Sequence, residues 1–239
     1  MGDLAVRGLL FDKDGTLFDF NASWRTVVDQ TIEVLAPSPS YIDRMAQDVG
    51  YDRANRRFEP GSVVVAGAIS ECAEAWARYR PDLGAERIET IANQIVDSAV
   101  ARGTLVPAVP DLRGLLQALI DLGMQLGIAT HDSEAAARSQ VGRHNALDCF
   151  AFISGYDSGH GLKPGPGMMH AFCRSTGLQP GECVMIGDSV HDLGVAPSSG
   201  AAMSIGVLTG PAERRDLEPH ADHVIDSIGD LPELLRRVT

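Results

Sequence analysis

At 239 residues, the chain is long enough for one large domain or for a core domain that carries a smaller inserted one. Apolar residues make up 44% of the chain and charged residues 22%, which excludes a disordered or a fibrous protein. The net charge of −12 disfavours binding to nucleic acid and to anionic membrane surfaces. An anionic substrate would therefore need local binding groups, such as a metal ion, a lysine or helix N-termini.

The first informative stretch is LAVRGLLFDKDGTLF, over residues 4–18. The apolar run over residues 6–11 is too short for a helix and stops at Asp12, which predicts a buried parallel strand with functional groups at its end. Asp12 and Asp14 lie two positions apart, so an extended backbone directs both carboxylates to one side, and Gly15 permits a tight turn. Such carboxylates repel each other unless a cation lies between them, and Mg²⁺ is the natural choice. An ionised aspartate can also attack phosphorus, while a second carboxylate serves as acid and then as base.

The pattern from residue 18 to about residue 104 is mainly helical. We predict helices over residues 23–35, 40–49 and 86–101, whereas residues 58–69 are ambiguous between strand and helix. Candidates for substrate contact in this stretch are Asn21, Trp24, Arg53, Arg56 and Arg57. The three arginines occur at helical spacing, which is also typical of a solvated helix face.

From residue 107 onward, strands and helices alternate, which predicts a parallel sheet covered by helices on both faces. The predicted strands cover residues 124–130, 150–154, 183–186, 202–207 and 223–225. One predicted helix begins after Asp111 and ends at Gly123, and three others cover residues 135–145, 167–177 and 230–238. We therefore predict an α/β fold, a Rossmann-like core of residues 1–17 and 105–239 interrupted by a helical insert of residues 18–104.

Three further polar clusters stand at or just beyond predicted strand ends, where open parallel sheets bind their ligands. Thr130 and His131 end one strand, where a hydroxyl and backbone N–H groups can hold phosphate oxygens. Lys163 lies in a loop stiffened by prolines. Asp188 and Asp192 follow another strand, and their carboxylates can face one point if a helix begins directly after the first of them. Singly, each cluster has an ordinary structural explanation, but jointly they supply a nucleophile, an acid/base group, metal ligands, a hydroxyl and a cation.

The order and spacing of these motifs resemble the haloacid dehalogenase superfamily, and specifically its phosphatases of the phosphoglycolate phosphatase type. The matching motifs are DKDGT, the strand-ending Thr130, Lys163 followed by proline, and GDSVHD, and together they span the whole predicted core. The resemblance implies that Asp12 is the nucleophile and Asp14 the general acid/base. It also implies that Thr130 binds phosphate and that Lys163 steadies both nucleophile and phosphate. His131 is a further candidate for substrate binding, although relatives more often carry asparagine or glycine there.

The resemblance also implies a metal site and a cap. Mg²⁺ would be bound by Asp12, Asp188 and the backbone carbonyl of Asp14, with Asp192 supporting the metal shell. Residues 18–104 would form a helical cap that closes over the site and excludes water. The aspartate at position 14 favours hydrolysis of a phosphate ester, because the dehalogenases and the ion-pumping ATPases of the superfamily lack it.

Several alternatives remain open at this point. A phosphosugar mutase would return the phosphoryl group to its substrate, and a phosphonatase would need a cap lysine, which residues 18–104 lack. A receiver-type signalling domain is about half as long and has no counterpart of GDSVHD. A non-catalytic relative that only binds phosphate or takes part in signalling is the last alternative, although every motif residue is chemically intact.

We therefore expect a phosphoric monoester hydrolase that uses Mg²⁺ and an aspartyl-phosphate intermediate. Its partner would be a small phosphorylated metabolite, such as phosphoglycolate, a sugar phosphate or a nucleotide monophosphate, rather than nucleic acid or a membrane. No leader or membrane-spanning stretch is evident, and four widely spaced cysteines without a metal-binding pattern favour reduced thiols in a cytoplasmic protein. The pattern leaves open whether the protein is a monomer or a dimer.

Overall fold

The computed structural model describes residues 6–66, 69–103 and 105–238. The chain divides into two compact units. The residues up to Phe20 and from Pro107 onward form the first, and Asn21–Val106 form the second. We call them the core unit and the inserted unit.

Strands and helices alternate along most of the core unit, and short 3₁₀ turns of the described residues cover Pro39–Tyr41, Leu147–Cys149, Pro180–Glu182 and Ile228–Asp230. In chain order, the elements of the described residues are β1 (Gly8–Phe11), α1 (Phe20–Leu35), α2 (Ile42–Asp48), β2 (Tyr51–Asp52), β3 (Arg57–Phe58), α3 (Val63–Ala66), α4 (Ile69–Ala77), α5 (Gly84–Arg102), α6 (Leu112–Asp121), β4 (Gln125–Ala129), α7 (Glu134–Arg143), β5 (Phe152–Ser154), α8 (Gly167–Thr176), β6 (Cys183–Gly187), α9 (Val190–Leu193), α10 (Val195–Ser199), β7 (Met203–Val207), α11 (Arg214–Leu217), β8 (His223–Ile225) and α12 (Leu231–Val238).

The core unit is built on a six-stranded sheet with the order β5-β4-β1-β6-β7-β8. Every pairing in it is parallel, which confirms the predicted fold class. Phe11 lies beside Ile128 of β4 on one side and Ile186 of β6 on the other. The strand order therefore reverses at β1, and the carboxyl ends of β1, β4 and β6 lie at one edge, where sheets of this kind bind ligands.

β1 is held rigidly because it is buried completely. Leu10 packs in a core cluster with Met185 of β6 and with Met168, Met169 and Phe172 of α8. Each such side chain contributes about 1.5–3 kcal/mol when it leaves water. The strand that ends at the predicted nucleophile is thus fixed on both sides by hydrogen bonds and on its face by apolar packing.

The inserted unit is mainly helical, as predicted, but it also contains a short hairpin that was not predicted. β2 and β3 form a two-stranded antiparallel hairpin, in which Tyr51 stacks on Phe58 with ring centres 4.6 Å apart. Oδ1 of Asp52 accepts a hydrogen bond from the backbone N–H of Asn55 and Oδ2 accepts one from its side-chain amide, which closes the turn. Asp and Asn commonly close turns in this way, a local signal that the helical interpretation overlooked.

The hairpin also corrects the interpretation of the arginines as a helix face. Arg53 and Arg56 lie in the turn, where Arg56 has a φ of 54°, and Arg57 lies in β3. Arg53 donates to Asp29 and to Asp43, each at 2.7 Å. The spacing of the three arginines in the sequence therefore reflects a hairpin turn rather than a helical repeat.

Most of the predicted boundaries in the described residues shift by a few residues. α1 begins at Phe20 rather than at residue 23, and the described part of the ambiguous segment contains the end of β3, helix α3 and the first residue of α4. As expected, Asp111 caps α6 by accepting a hydrogen bond from the backbone of Gly114 at 2.9 Å. The short helices α9, α10 and α11 were not predicted, apart from the possibility of a helix after Asp188.

The four cysteines are all free and buried. Among the helices of the described residues, none combines the length and the apolar character needed to cross a membrane.

Candidate active site

Three strand ends of the core unit bring predicted site residues together. Asp12 follows β1, Thr130 follows β4 and Asp188 follows β6, and all three side chains are buried. The sheet hydrogen bonds extend into these positions, since the backbone N–H of Asp12 donates to Ile186 and that of Thr130 to Ser154. The parallel register, rather than proximity in the sequence, assembles the site.

Asp12, Asp188 and Asp192 form an acidic cluster whose carboxylate oxygens lie within 4.8 Å of one another. Burial raises the pKa of Asp12 to about 7, and the charges of Asp192 and Asp14 act in the same direction while Lys163 opposes them. Burial and the two neighbouring carboxylates also raise the pKa of Asp188 well above its ordinary value. The site therefore concentrates negative charge that a cation would relieve.

The surroundings of Asp188 fit a bound divalent cation. A Cβ atom on Gly15 would lie 2.3 Å from Oδ2 of Asp188, and one on Gly210 would lie 1.8 Å from the same atom. Gly15 also has a φ of 86°, which a residue with a side chain rarely adopts. The two glycines thus leave just enough room for the carboxylate, and an all-oxygen donor set of this kind suits a hard divalent cation.

Lys163 connects two members of the acidic cluster. Its buried Nζ lies 2.5 Å from Oδ1 of Asp12 and 2.6 Å from Oδ1 of Asp192. Burial lowers the pKa of Lys163, but the two carboxylates outweigh this effect and hold the pKa above its ordinary value. The ammonium is therefore charged and is aimed at the predicted nucleophile.

Asp192 is occupied on both of its carboxylate oxygens. Oδ1 binds Lys163, while Oδ2 accepts hydrogen bonds from the hydroxyl of Ser189 at 2.5 Å and from its backbone N–H at 3.1 Å. Ser189 in turn caps α9. Asp192 is thus the member of the acidic cluster that orients Lys163 and closes the turn after β6.

His131 contacts the loop that carries Lys163. Its Nε2 accepts a hydrogen bond from the backbone N–H of Lys163 at 3.1 Å. Partial burial of the ring and the nearby Lys163 charge lower the pKa of His131, so the ring is neutral at neutral pH with its proton on Nδ1. The contact gives His131 a role in holding the loop, whereas its predicted role in substrate binding stays a prediction.

Thr130 is buried and presents its hydroxyl at the end of β4. Oγ1 accepts a hydrogen bond from the backbone N–H of Asp132 at 3.1 Å, which leaves the hydroxyl hydrogen to donate. That geometry suits a phosphate ligand, the role that the family resemblance implies.

Asp14 does not join the acidic cluster with its carboxylate. Its Oδ2 instead forms an ion pair with Lys13, and Lys13 also lies 3.0 Å from Oδ2 of Asp132. Three further residues of this region, Lys13, Asp132 and Gly210, were not among the predicted site residues. The available signal for Lys13 was a lysine between the two aspartates of DKDGT, and the signal for Gly210 was a glycine three residues beyond β7 and before a proline.

Comparison with known proteins assigns the family. A model of the haloacid dehalogenase-like hydrolases matches residues 6–200. Because this match covers most of the chain, the protein belongs to that family of hydrolases, and the resemblance inferred from the motifs is confirmed.

The relatives of the chain include phosphoglycolate phosphatases. It is 28% identical over 231 residues to the phosphoglycolate phosphatase of Chromobacterium violaceum, covering 97% of each chain. It is 26% identical over 247 residues to that of Escherichia coli strain K12, covering 95% of this chain and 91% of that one. The similarity thus extends over both units.

Solved structures show the same fold. A predicted phosphoglycolate phosphatase from Haemophilus somnus 129PT superposes with a TM-score of 0.69 at 18% identity, covering 96% of this chain and 98% of that chain. A proposed β-phosphoglucomutase from Thermotoga maritima superposes with a TM-score of 0.75 at 17% identity, covering 98% and 100%. At such identities the comparison speaks for the fold alone.

Proposed function

We propose that this protein is a Mg²⁺-dependent phosphatase that hydrolyses a small phosphate monoester through an aspartyl-phosphate on Asp12. The observation that carries the proposal is the setting of Asp12, which is buried, bound by Lys163 at 2.5 Å and grouped with Asp188 and Asp192. A phosphate dianion needs positive charge around it, and a carboxylate needs the same help before it can attack that dianion. The names of the full-length relatives support a substrate of the phosphoglycolate type.

The first step transfers the phosphoryl group to the enzyme. Lys163 binds Oδ1 of Asp12, which leaves Oδ2 to attack phosphorus. The new Oδ2–P bond forms as the ester P–O bond breaks, and Asp14 donates a proton to the departing oxygen. The hydroxyl of Thr130 donates to a phosphoryl oxygen during the transfer.

The second step releases phosphate. Asp14, now ionised, takes a proton from a water molecule, and the resulting oxygen attacks phosphorus. The Oδ2–P bond breaks, inorganic phosphate departs and Asp12 is restored as a carboxylate. Bound by Asp12, Asp188 and the backbone carbonyl of Asp14, with Asp192 beside them, Mg²⁺ would supply positive charge that offsets the phosphoryl oxygens.

Further parts of the proposal concern substrate and location. We propose that the inserted unit is the cap that the family resemblance implies and that it selects the substrate. The buried, free cysteines support a reducing compartment such as the cytoplasm. A phosphosugar mutase would use the same nucleophile, but the likeness to the Thermotoga maritima protein concerns the fold, so hydrolysis is the proposed reaction.

The test is release of inorganic phosphate, with Mg²⁺ and with a chelator, from 2-phosphoglycolate, hexose phosphates and nucleotide monophosphates. We expect Mg²⁺-dependent release that is abolished in Asp12→Asn and retained in Asp97→Asn, the same exchange at an exposed position of α5. Absence of release from every monoester would overturn the proposal. If ³¹P NMR instead detected conversion of one sugar phosphate isomer into another, the protein would be a phosphosugar mutase rather than a phosphatase.

A further inference from the structure

Lysine is used in this chain at two positions only. Of its 20 lysines and arginines, two are lysines, Lys13 and Lys163, and both are buried at the candidate active site. Lysine is ordinarily a surface residue, and here arginine serves all the other cationic positions. Both lysines thus lie at the candidate active site, where a compact ammonium offers three hydrogen-bond donors to the neighbouring carboxylates.

The proposed function gives Lys163 a role in binding the nucleophile Asp12, but it gives no role to Lys13. The side chain of Lys13 is fully buried, and its Nζ forms ion pairs with Oδ2 of Asp14 and, at 3.0 Å, with Oδ2 of Asp132. Burial lowers the pKa of Lys13, but these two carboxylates outweigh it and hold the pKa above its ordinary value. The ammonium also lies 5.9 Å from the centre of the Phe18 ring. Lys13 is thus a charged group that joins the end of β1 to the end of β4.

Stability alone does not account for a lysine at this position. A buried ion pair loses hydration on both partners, and an apolar side chain of similar volume often stabilises a fold equally well or better. The carboxylates of Asp14 and Asp132 are 21% and 40% exposed, so water would solvate them if the lysine were absent. The lysine is therefore not needed to neutralise buried carboxylates, and its effect is to fix their orientation.

The two oxygens of Asp14 differ in a way that suits proton transfer. Oδ2 is held by Lys13, whereas Oδ1 is buried and has no hydrogen-bond partner among the described residues. A carboxyl group that gives and takes one proton needs one fixed oxygen to set its orientation and one oxygen that is not already engaged in a hydrogen bond.

We propose that Lys13 is a positioning residue for Asp14. It holds Oδ2 of Asp14 and is itself anchored by Asp132, so that Oδ1 presents the proton to the departing oxygen and later accepts one from water. This inference rests on the proposed function, in which Asp14 is the acid/base group. It gives a role to the lysine that lies between the two aspartates of DKDGT, and it explains why a charged side chain is buried there.

The contact can be tested spectroscopically because the chain has two lysines. Protein labelled with ¹³C and ¹⁵N in lysine should show two side-chain ammonium signals, and Lys13→Met identifies the signal of Lys13 by its disappearance. We expect Asp14→Asn to shift this signal and to leave that of Lys163 close to its original position. An unchanged Lys13 signal in Asp14→Asn would overturn the inference.

The kinetic test compares leaving groups that differ in their need for a proton. p-Nitrophenolate departs without an acid, so in Lys13→Met its initial burst from p-nitrophenyl phosphate should persist while steady-state turnover falls about tenfold or more. The phosphorylated enzyme should then accumulate, because water activation is impaired. With an alkyl phosphate such as 2-phosphoglycolate, the first step itself should slow by about tenfold or more.

Two further variants separate positioning from general damage. The double variant of Lys13→Met with Asp14→Asn should be no slower than Asp14→Asn alone, because both changes remove one function. If Lys13→Met fails to fold, Asp132→Asn removes only the outer anchor and should produce a smaller loss of the same kind. Equal loss of burst and turnover, full activity, or additive losses in the double variant would overturn the inference. Failure of the wild-type protein to release phosphate would instead refute the proposed function.

Discussion

Replacing Asp12 by asparagine should abolish turnover and, in the absence of metal, make the protein more stable. The pKa of Asp12 is raised from 3.8 to about 7, chiefly by burial. A carboxyl group with a raised pKa stabilises the folded state while it is protonated, so its contribution is complete below about pH 4 and is lost as the pH rises through about 7. Asparagine carries no proton to lose and avoids that loss.

The size of the effect follows from the pKa. A rise from 3.8 to about 7 corresponds to about 4 kcal/mol between the two protonation states. This is an upper limit, because the variant also removes one of the two carboxylates that bind Lys163. At about pH 8 with a chelator, we expect Asp12→Asn to be more stable than the wild type by about 1–4 kcal/mol. Lowering the pH to about 5.5 should restore about 2 kcal/mol to the wild type and narrow the gap.

Thermal unfolding at the two pH values, with chelator and with Mg²⁺, measures this difference. For a chain of this size, 1 kcal/mol shifts the melting temperature by about 2–4 °C. Mg²⁺ should raise the melting temperature of the wild type and have much less effect on the variant, since the proposed Mg²⁺ site is the acidic cluster of the folded state, to which Asp12 belongs. Asp97→Asn serves as the control, because it makes the same exchange at an exposed site.

Two results would refute the reasoning. If Asp12→Asn were less stable than the wild type at about pH 8 without metal, the ion pair with Lys163 would outweigh the effect of burial. If the variant retained full turnover, Asp12 would not be the nucleophile.

Three further predictions concern the groups around the cluster. Gly210→Ala should reduce activity and weaken Mg²⁺ binding by about tenfold or more, because the added Cβ would lie 1.8 Å from Oδ2 of Asp188. The control is Gly142→Ala, whose Cβ meets nothing within 4 Å and which should leave activity and Mg²⁺ binding unchanged. Phosphate release measures the activity, and titration calorimetry measures the Mg²⁺ binding. His131→Phe should lower kcat by about threefold to tenfold, because it removes the acceptor of the Lys163 backbone N–H, and an unchanged kcat would contradict the role of that contact. The Mg²⁺ affinity measured by calorimetry should decrease as the pH is lowered below about 7, because Mg²⁺ must then displace a proton from the acidic cluster. An affinity that does not change between about pH 6 and 8 would exclude this linkage.

Much of the core unit could be predicted from the sequence, because its strands and helices are marked by residues that are close together in the chain. The apolar run of β1, the capping Asp111 and the alternation after residue 107 each depend on neighbours in the chain, and the parallel sheet agrees with them. The hairpin of the inserted unit was missed because strands of two residues have no detectable period. Its turn was nevertheless marked by Asp52 and Asn55.

The sequence by itself determined the fold class, the family and which polar residues stand at the ends of strands, because each follows from short motifs and their order. Only the tertiary structure decided which groups pair. Lys163 lies between Asp12 and Asp192, and Lys13 turns to Asp14 and Asp132 rather than to solvent. The pairings of Lys163 with Asp12 and of Lys13 with Asp132 depend on the register of parallel strands that are far apart in the chain, and on burial, which strengthens the attraction between opposite charges. Neither quantity can be read from the neighbours of a residue in the sequence.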